Sequence, residues 1–195
     1  MKNGAHPSEN WDLVITPRKN WWDLQLGDVW QCRDLIGLFV RRDFVSRYKQ
    51  TILGPLWLII QPIMNSLVFT VIFGNIARLP TDGLPQMLFY LSGTVLWNYF
   101  SNCLTGTSQT FISNAHLFGK VYFPRLVTPI SIVISNLITL AIQFVLFMVF
   151  WLFFFTRGAE IHMTSWAFAL PLLVLLMAGL GLGFGIIVSS LTTKY

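Results

Sequence analysis

Charged residues are scarce in this sequence, and beyond residue 49 they are almost absent. Only 21 of the 195 residues are Asp, Glu, Lys or Arg, and 14 of those 21 lie within the first 49 positions. The others leave four uncharged stretches, which are 50–77, 83–119, 126–156 and 161–193. A helix needs about 20 apolar residues to cross a hydrocarbon core about 30 Å thick, and each stretch is longer than that. This scarcity of charge excludes a soluble domain.

Cysteine is also scarce, because the chain has only Cys32 and Cys103. The two stand in very different sequence settings, which excludes a disulfide-stapled secreted scaffold and predicts two free thiols. The polar segment 1–20 has no apolar h-region, so a cleaved signal peptide is not expected.

Motifs that bind phosphate or metal are missing as well. Gly119-Lys120 is followed by Val121, and Asn114 stands where a phosphate-binding loop needs its first glycine, so the chain is not expected to bind ATP itself. The three histidines are far apart and have no Cys, Asp or Glu at ligand spacing, so no metal site is predicted. These histidines are His6, His116 and His162.

Groups for proton transfer or catalysis are not apparent either. None of the uncharged stretches has Asp, Glu or His near mid-depth, which argues against ion-coupled transport. A Na⁺ site built from backbone carbonyls needs no such residue, so this alternative stays open. A membrane-embedded glycosyl or acyl transferase would need an acid, base or metal constellation in a cytoplasmic loop, and none is visible. The chain is therefore not expected to be an enzyme.

The four uncharged stretches predict an all-α polytopic membrane protein with four transmembrane helices, at about 52–77, 86–108, 128–155 and 166–190. Eleven of the 13 basic residues lie before the first span, between spans two and three, or after span four. The positive-inside rule therefore predicts that the N-terminus and the 113–125 connection are cytoplasmic. Since membrane orientation accounts for the basic residues, nucleic acid is not expected as a partner.

The N-terminal part divides into two predicted segments. Residues 1–20 are predicted to be a loose cytoplasmic tail, and residues 21–49 an amphipathic helix that is too charged to span and lies on the membrane surface. Its tryptophans suit the headgroup zone and its arginines suit anionic lipid, although a helix packed on another subunit is the alternative. The residues assigned to the membrane-surface helix are Trp22, Trp30, Arg33, Arg41, Arg42, Arg47 and Tyr48.

Span one has a proline, Pro62, between two amides. Proline removes a backbone donor, so the carbonyl that it frees must find a partner in a neighbouring helix or water, and a bend is predicted there. Gln61 and Asn65 are four residues apart and share a face, which is predicted to meet protein or a polar cavity rather than lipid. Simple hydrogen bonding between helices is the alternative.

Span four contains glycines at every second position from 179 to 185. The pairs Gly179/Gly183 and Gly181/Gly185 both have the spacing that lets two helices approach closely. We therefore predict that this span packs against another helix through these glycines.

The connection between spans two and three is the most specific feature of the chain. Residues 113–125 combine apolar side chains with Lys120 and Arg125, and Pro124 ends the segment. This pattern predicts a short helix that buries one face in a cytoplasmic partner.

Four segments together resemble the permease subunit of polysaccharide-exporting ABC transporters, with O-antigen and teichoic-acid exporters as the nearest relatives. The resemblance covers about residues 21–195, and its most specific feature is the order of RYKQT-x-LGPLW and GKVYFPR. The four segments are Tyr48–Trp57, Leu91–Phe100, Asn114–Arg125 and Ala169–Pro171.

The resemblance implies a permease of six spans that forms a homodimer in the bacterial inner membrane and pairs with two copies of a separate ATPase subunit. ATP and Mg²⁺ would be bound by that subunit, and lipid-linked polysaccharide would pass through the dimer among membrane lipids. The sequence stops at Tyr195, where such permeases continue towards spans five and six, and is interpreted as truncated. The implied ATPase-coupling residues are Asn114, His116, Leu117, Phe118, Gly119, Lys120, Tyr122, Pro124 and Arg125.

Aromatic and amide side chains are predicted to line the glycan path, because a sugar ring can lie on an aromatic face while amides bind its hydroxyls. Interfacial anchoring is the alternative for each aromatic residue. A drug or lipid exporter of the same superfamily and a non-functional fragment or assembly factor are the alternative functions. The predicted path residues are Trp57, Gln61, Asn65, Tyr90, Trp97, Tyr99 and Phe100.

Overall fold

The computed structural model describes residues 26–48, 54–118, 120, 123–159 and 165–194. Within these ranges the chain is helical and has no strand. Turns of 3₁₀-helix, Gly54–Leu56 and Ser165–Ala169, precede the third and the last α-helix, and the third continues as a π-helix, Thr70–Ile76. The all-α class is confirmed. The α-helices are α1 (Leu26–Gln31), α2 (Arg33–Tyr48), α3 (Trp57–Phe69), α4 (Gln86–Ser108), α5 (Thr110–Ser113), α6 (Ala115–Phe118), α7 (Val127–Thr156) and α8 (Leu170–Lys194).

Three helical segments are long and apolar enough to cross a membrane, and they match predicted spans one, three and four. These are Gly54–Ile76, Val127–Thr156 and Ala167–Thr192. Predicted span two is α4, whose 23 residues are sufficient in length. Its second half is rich in Asn, Ser and Thr, which lowers its mean hydropathy below that of the other three. The polytopic fold is thus confirmed, with α4 as a less apolar fourth long helix.

The position of α4 accounts for part of its polarity. It lies at the centre of the bundle and packs against α3, α7 and α8. Leu91, Val95, Tyr99 and Cys103 recur every four residues on one face of α4 and form the core with Leu140 of α7. Of the polar side chains on α4, Thr94 and Thr107 are buried in the bundle, whereas Asn102 and Thr105 are exposed.

Close approach of α8 to α4 depends on two glycines. A Cβ atom at Gly181 would lie 2.9 Å from Cβ of Cys103, and one at Gly185 would lie 2.5 Å from Cβ of Thr107. Both contacts advance by four residues in the same direction, so α4 and α8 run parallel, as alternate spans must.

The other two glycines of the predicted pattern have more open surroundings. An added Cβ at Gly179 or Gly183 would have no described atom within 4 Å, so among the residues that the structure describes the predicted close contact belongs to the Gly181/Gly185 pair. Four residues further on, the buried Ser189 hydroxyl accepts a hydrogen bond of 3.3 Å from the backbone N–H of Phe111. Small residues at 181, 185 and 189 therefore form the α8 side of this interface.

The carbonyl freed by Pro62 has a partner in another span. Proline cannot donate to the carbonyl four residues earlier, which belongs to Leu58. The side chain of Gln143, buried on α7, donates to this carbonyl oxygen at 3.5 Å. Of the two partners that the sequence allowed, a neighbouring helix or water, the structure has the neighbouring helix.

Candidate functional site

The connection between α4 and α7 begins with two one-turn helices, α5 and α6. Asn114 joins them, and its buried side-chain amide donates to the carbonyl oxygen of Thr110 at 2.9 Å. The side chains of His116, Lys120 and Arg125 are exposed, while Leu117 and Pro124 are half-buried. Among the predicted coupling residues, Gly119 and Tyr122 lie outside the described residues.

Four phenylalanine rings connect this segment to α2, and we call them the aromatic bridge. The ring of Phe118 lies 5.9 Å from that of Phe111 and 5.4 Å from that of Phe123, and Phe123 lies 5.8 Å from Phe39 of α2, measured between ring centroids. The apolar side of the segment that the sequence assigned to a partner is therefore partly covered within the chain.

Arg42 of α2 adds polar contacts at the same place. Its guanidinium carbon lies 4.7 Å from the centre of the Phe39 ring. One nitrogen, Nη2, donates to the carboxylate of Asp43 at 2.9 Å and to Oδ1 of Asn114 at 3.4 Å. The structure thus brings together residues that the sequence assigned to two separate sites. One is the membrane-surface helix, and the other is the ATPase-coupling stretch 114–125, which we call the coupling segment.

Arg47, one turn further along α2, reaches into the helix bundle. Its Nη1 atom donates to Oδ1 of Asn136 on α7 at 3.0 Å, and only 2% of Asn136 is exposed. The other side-chain atom of that amide, Nδ2, has no partner among the described residues. Helix α2 therefore packs along the first turns of α7 and is held there by a charge-assisted hydrogen bond.

The opposite face of α1 and α2 is open. The side chains of Trp30, Arg33 and Arg41 are exposed there. That this face lies on the membrane stays a prediction. Trp22 and the side chain of Tyr48, which were assigned to the same helix, lie outside the described residues.

Amide and aromatic side chains recur at four-residue spacing in a stripe along α3 and the π-helix that continues it. They are Trp57, Gln61, Asn65 and Phe69 on α3, and Phe73 on the π-helix. Trp57 is 48% exposed, Gln61 is exposed and Asn65 is half-buried. Neither amide side chain makes a hydrogen bond to the described part of the chain.

Helix α4 extends this stripe. The ring of Tyr90 lies 6.4 Å from that of Phe69 and 6.1 Å from that of Phe73. Trp97, seven residues later on the same face of α4, is 64% exposed and contacts Phe100 at 6.0 Å between centroids. We call the combined set the aromatic–amide surface, and it consists of Trp57, Gln61, Asn65, Phe69, Phe73, Tyr90 and Trp97.

Two predicted path residues are not part of this surface. Phe100 is half-buried beside Trp97, and the other is Tyr99. It is 3% exposed and belongs to the core, where it also borders an apolar cavity of about 540 Å³ between α4, α7 and α8. Leu137, Phe144 and Val174 are among the other lining residues. No sequence signal indicated this cavity, because it arises where three apolar helix faces diverge.

The described ranges contain no group of three or more His, Cys, Asp or Glu side chains that could hold a metal ion. The chemistry available on the aromatic–amide surface is stacking on aromatic rings and hydrogen bonding by neutral amides. Such a surface can bind a ligand and guide it, but it has no group that activates a nucleophile.

Comparison with known proteins identifies relatives over most of the chain. The family model described as ABC-2 type transporter matches residues 34–195. Two Klebsiella pneumoniae proteins named O-antigen export system permease protein RfbA are each 28% identical over 159 residues, which is 81% of this chain and 59% of the relative. A Myxococcus xanthus protein of the same name is 30% identical over 122 residues, or 63% of this chain and 46% of the relative. The chain thus spans less than two thirds of these relatives.

Proposed function

Because the chain belongs to the ABC-2 type transporter family, we propose that it is a permease subunit that exports lipid-linked polysaccharide across the bacterial inner membrane. The similar proteins named as O-antigen export permeases support a glycan as the substrate. The three long apolar helical segments support a membrane-embedded subunit. ATP and Mg²⁺ would be bound by a separate ATPase, in two copies on a permease homodimer, with the N-terminus of this chain in the cytoplasm.

The observation that carries the proposal is the aromatic–amide surface. Gln61 and Asn65 lie on a membrane-spanning segment and have no hydrogen-bond partner among the described residues. An unpaired amide in hydrocarbon is unfavourable by a few kcal/mol, so this face favours a polar neighbour over lipid. A glycan supplies one, because its hydroxyls bind amides and its apolar ring faces stack on Trp57 and Trp97.

The coupling segment supplies the second part of the mechanism. The exposed His116 and Lys120 offer a contact for the ATPase, and the half-buried Phe118 connects that contact to α2 through the aromatic bridge. Movement of the segment would then shift α2, and the hydrogen bond from Arg47 would carry this displacement to α7.

The test is photo-crosslinking in cells that contain this chain and its ATPase. A photoreactive amino acid at Gln61 is expected to capture glycan during export. Leu172, which is 63% exposed on α8, is the matched control because it lies outside the aromatic–amide surface and is expected to capture lipid only. Capture of glycan at Leu172 but not at Gln61 would contradict the proposal.

A drug or lipid exporter is the competing function. Its substrate would be largely apolar and would leave the amides of Gln61 and Asn65 unpaired, so the surface favours glycan. Comparing cell-surface glycan with drug efflux in a strain that lacks the gene distinguishes the two functions.

A further inference from the structure

The apolar cavity that Tyr99 borders lies on the opposite side of α4 from the aromatic–amide surface. Trp97 and Tyr99 are two residues apart, which places their side chains about 200° apart around α4. Helices α7 and α8 both pack against α4 but contact each other less, and the cavity lies between them. It is therefore a groove between α7 and α8 that α4 closes from the inside.

The cavity is elongated along the helix axes. On α7 its lining residues recur over three turns of one face, from Val133 to Phe144, and on α8 over two turns, from Leu170 to Ala178. The stretch of α7 corresponds to about 16 Å. A hydrocarbon core about 30 Å thick leaves about 15 Å for the acyl chains of each leaflet. The length and direction of the cavity therefore match those of one acyl chain in the surrounding bilayer.

The volume of the cavity also suits a single hydrocarbon chain. An apolar cavity of about 150 Å³ holds one benzene molecule with its six carbons, so in proportion a cavity of about 540 Å³ holds roughly 20 carbons. The backbone alone of a helix as long as this stretch of α7 has about 44 heavy atoms. A hydrocarbon chain therefore fits into the cavity, whereas a helix of another subunit does not.

The cavity is open on the outer side of the bundle. Ile134, Leu137 and Leu175 form part of its rim and are exposed. Tyr99 and Leu140, its inner residues, are buried. Since α7 and α8 are membrane-spanning segments, the rim faces hydrocarbon, and a lipid chain can enter the cavity sideways.

Water is a poor occupant of this cavity. Among the described lining residues Tyr99 supplies the one polar side-chain group, and a water held in a cavity needs two to four polar partners. An empty cavity is unfavourable as well, because its lining loses van der Waals contacts. A hydrocarbon chain restores these contacts and brings no polar group with it.

We infer that this cavity is a binding site for one acyl chain of a membrane phospholipid, which packs between α7 and α8. The lipid tail of the exported glycan is the other source of hydrocarbon. The geometry favours the phospholipid, because the glycan is proposed to lie on the aromatic–amide surface, on the opposite side of α4. This choice between the two lipids rests on the proposed function, whereas the site itself does not.

Photolabelling of the purified chain tests the site. The chain is reconstituted in nanodiscs of phosphatidylethanolamine and phosphatidylglycerol that contain a phosphatidylcholine with a diazirine in the middle of one acyl chain, and labelled residues are mapped by mass spectrometry. We expect label on the buried Tyr99 and Leu140 as strong as on the exposed Leu172 and Val149. Lipid that only surrounds the bundle cannot reach the inner residues, so label confined to exposed residues overturns the inference.

A variant that blocks the rim is compared with a matched control. Ala141 is exposed on the rim, and Ala141→Phe is expected to remove most of the label from Tyr99 but not from Leu172. Val149→Phe adds a ring to α7 outside the cavity and should leave the labelling of Tyr99 unchanged. Equal labelling of Tyr99 in both variants would contradict the site. Should Ala141→Phe fail to insert, Ala178→Leu fills the cavity from α8 and decides between the same outcomes.

A photoreactive leucine analogue at position 96 identifies the occupant in cells that export glycan. Leu96 is half-buried and lines the cavity from α4. Capture of phospholipid supports the inference. Capture of lipid-linked glycan, of a second copy of the chain or of another protein overturns it, as does the absence of a captured lipid. Glycan export by the same cells is measured separately, so a failure of the inference is distinguishable from a failure of the proposed function.

Discussion

Individual side chains supply hydrogen-bond partners for backbone and side-chain groups that would otherwise be unpaired. Pro62 frees the carbonyl of Leu58, and Gln143 of α7 donates to it. The sequence predicted that a partner was needed, because the absence of an N–H on proline follows from chemistry alone. It could not predict which partner, since that depends on how α7 packs against α3.

A double-mutant cycle tests this contact. Gln143→Leu removes the donor and is expected to destabilise the chain by about 1–3 kcal/mol, because a buried carbonyl loses its partner. Pro62→Ala restores an N–H that can bond the same carbonyl within the helix. Gln143→Leu should therefore destabilise the Pro62→Ala background less, as measured by thermal unfolding of the four proteins in detergent. Strictly additive effects would contradict the contact.

Arg47 provides the second test at this scale. Arg47→Ala removes the one hydrogen bond that the buried Asn136 side chain receives from α2, and we expect a loss of about 1–3 kcal/mol. Lys at this position should retain part of the stability, because it is also a cation and a donor. Arg41→Ala, on the exposed face of α2, is the control and should change stability by less than about 0.5 kcal/mol. Equal losses at positions 41 and 47 would refute the anchoring role.

At the scale of helices, the spacing of the glycines predicted which residues could allow close helix packing, but not which of them do. Both glycine pairs of span four have the same four-residue spacing, and only Gly181 and Gly185 contact α4. The choice depends on the rotation of α8 about its axis, which no local pattern sets. The same limit applies to the coupling segment, whose apolar residues were assigned to a partner although Phe118 and Phe123 contact each other and reach α2.

A pair of alanine substitutions separates the two glycine positions. Gly185→Ala places a Cβ 2.5 Å from that of Thr107 and is expected to push α8 away from α4, lowering the thermal unfolding midpoint. Gly183→Ala faces open space and should be neutral or stabilising by up to about 1 kcal/mol, because alanine favours helix. A destabilisation by Gly183→Ala as large as that by Gly185→Ala would contradict the packing of α8 on α4.

For the whole molecule, the scarcity of charge predicted the all-α membrane fold with four spans, and three helical segments are apolar enough to cross a membrane. Helix α4 was also placed correctly, although only its packing against α3, α7 and α8 shows which of its polar side chains are buried. The structure was needed to separate the predicted path residues by burial, because Trp57, Gln61, Asn65, Tyr90 and Trp97 are exposed or half-buried, whereas Tyr99 lies in the core. Burial depends on neighbours that are distant in sequence.

The central claim is that the aromatic–amide surface carries the glycan through the membrane. The most direct measurement is cell-surface glycan in an exporter-deficient strain that expresses the ATPase with the unmodified chain, the double variant Trp57→Ala/Gln61→Leu, or the control Leu172→Ala. All three chains should reach the membrane in equal amounts, since none of these side chains is buried. We expect the double variant to lose most of its export and the control to retain it. Undiminished export by the double variant at equal membrane level would contradict the account.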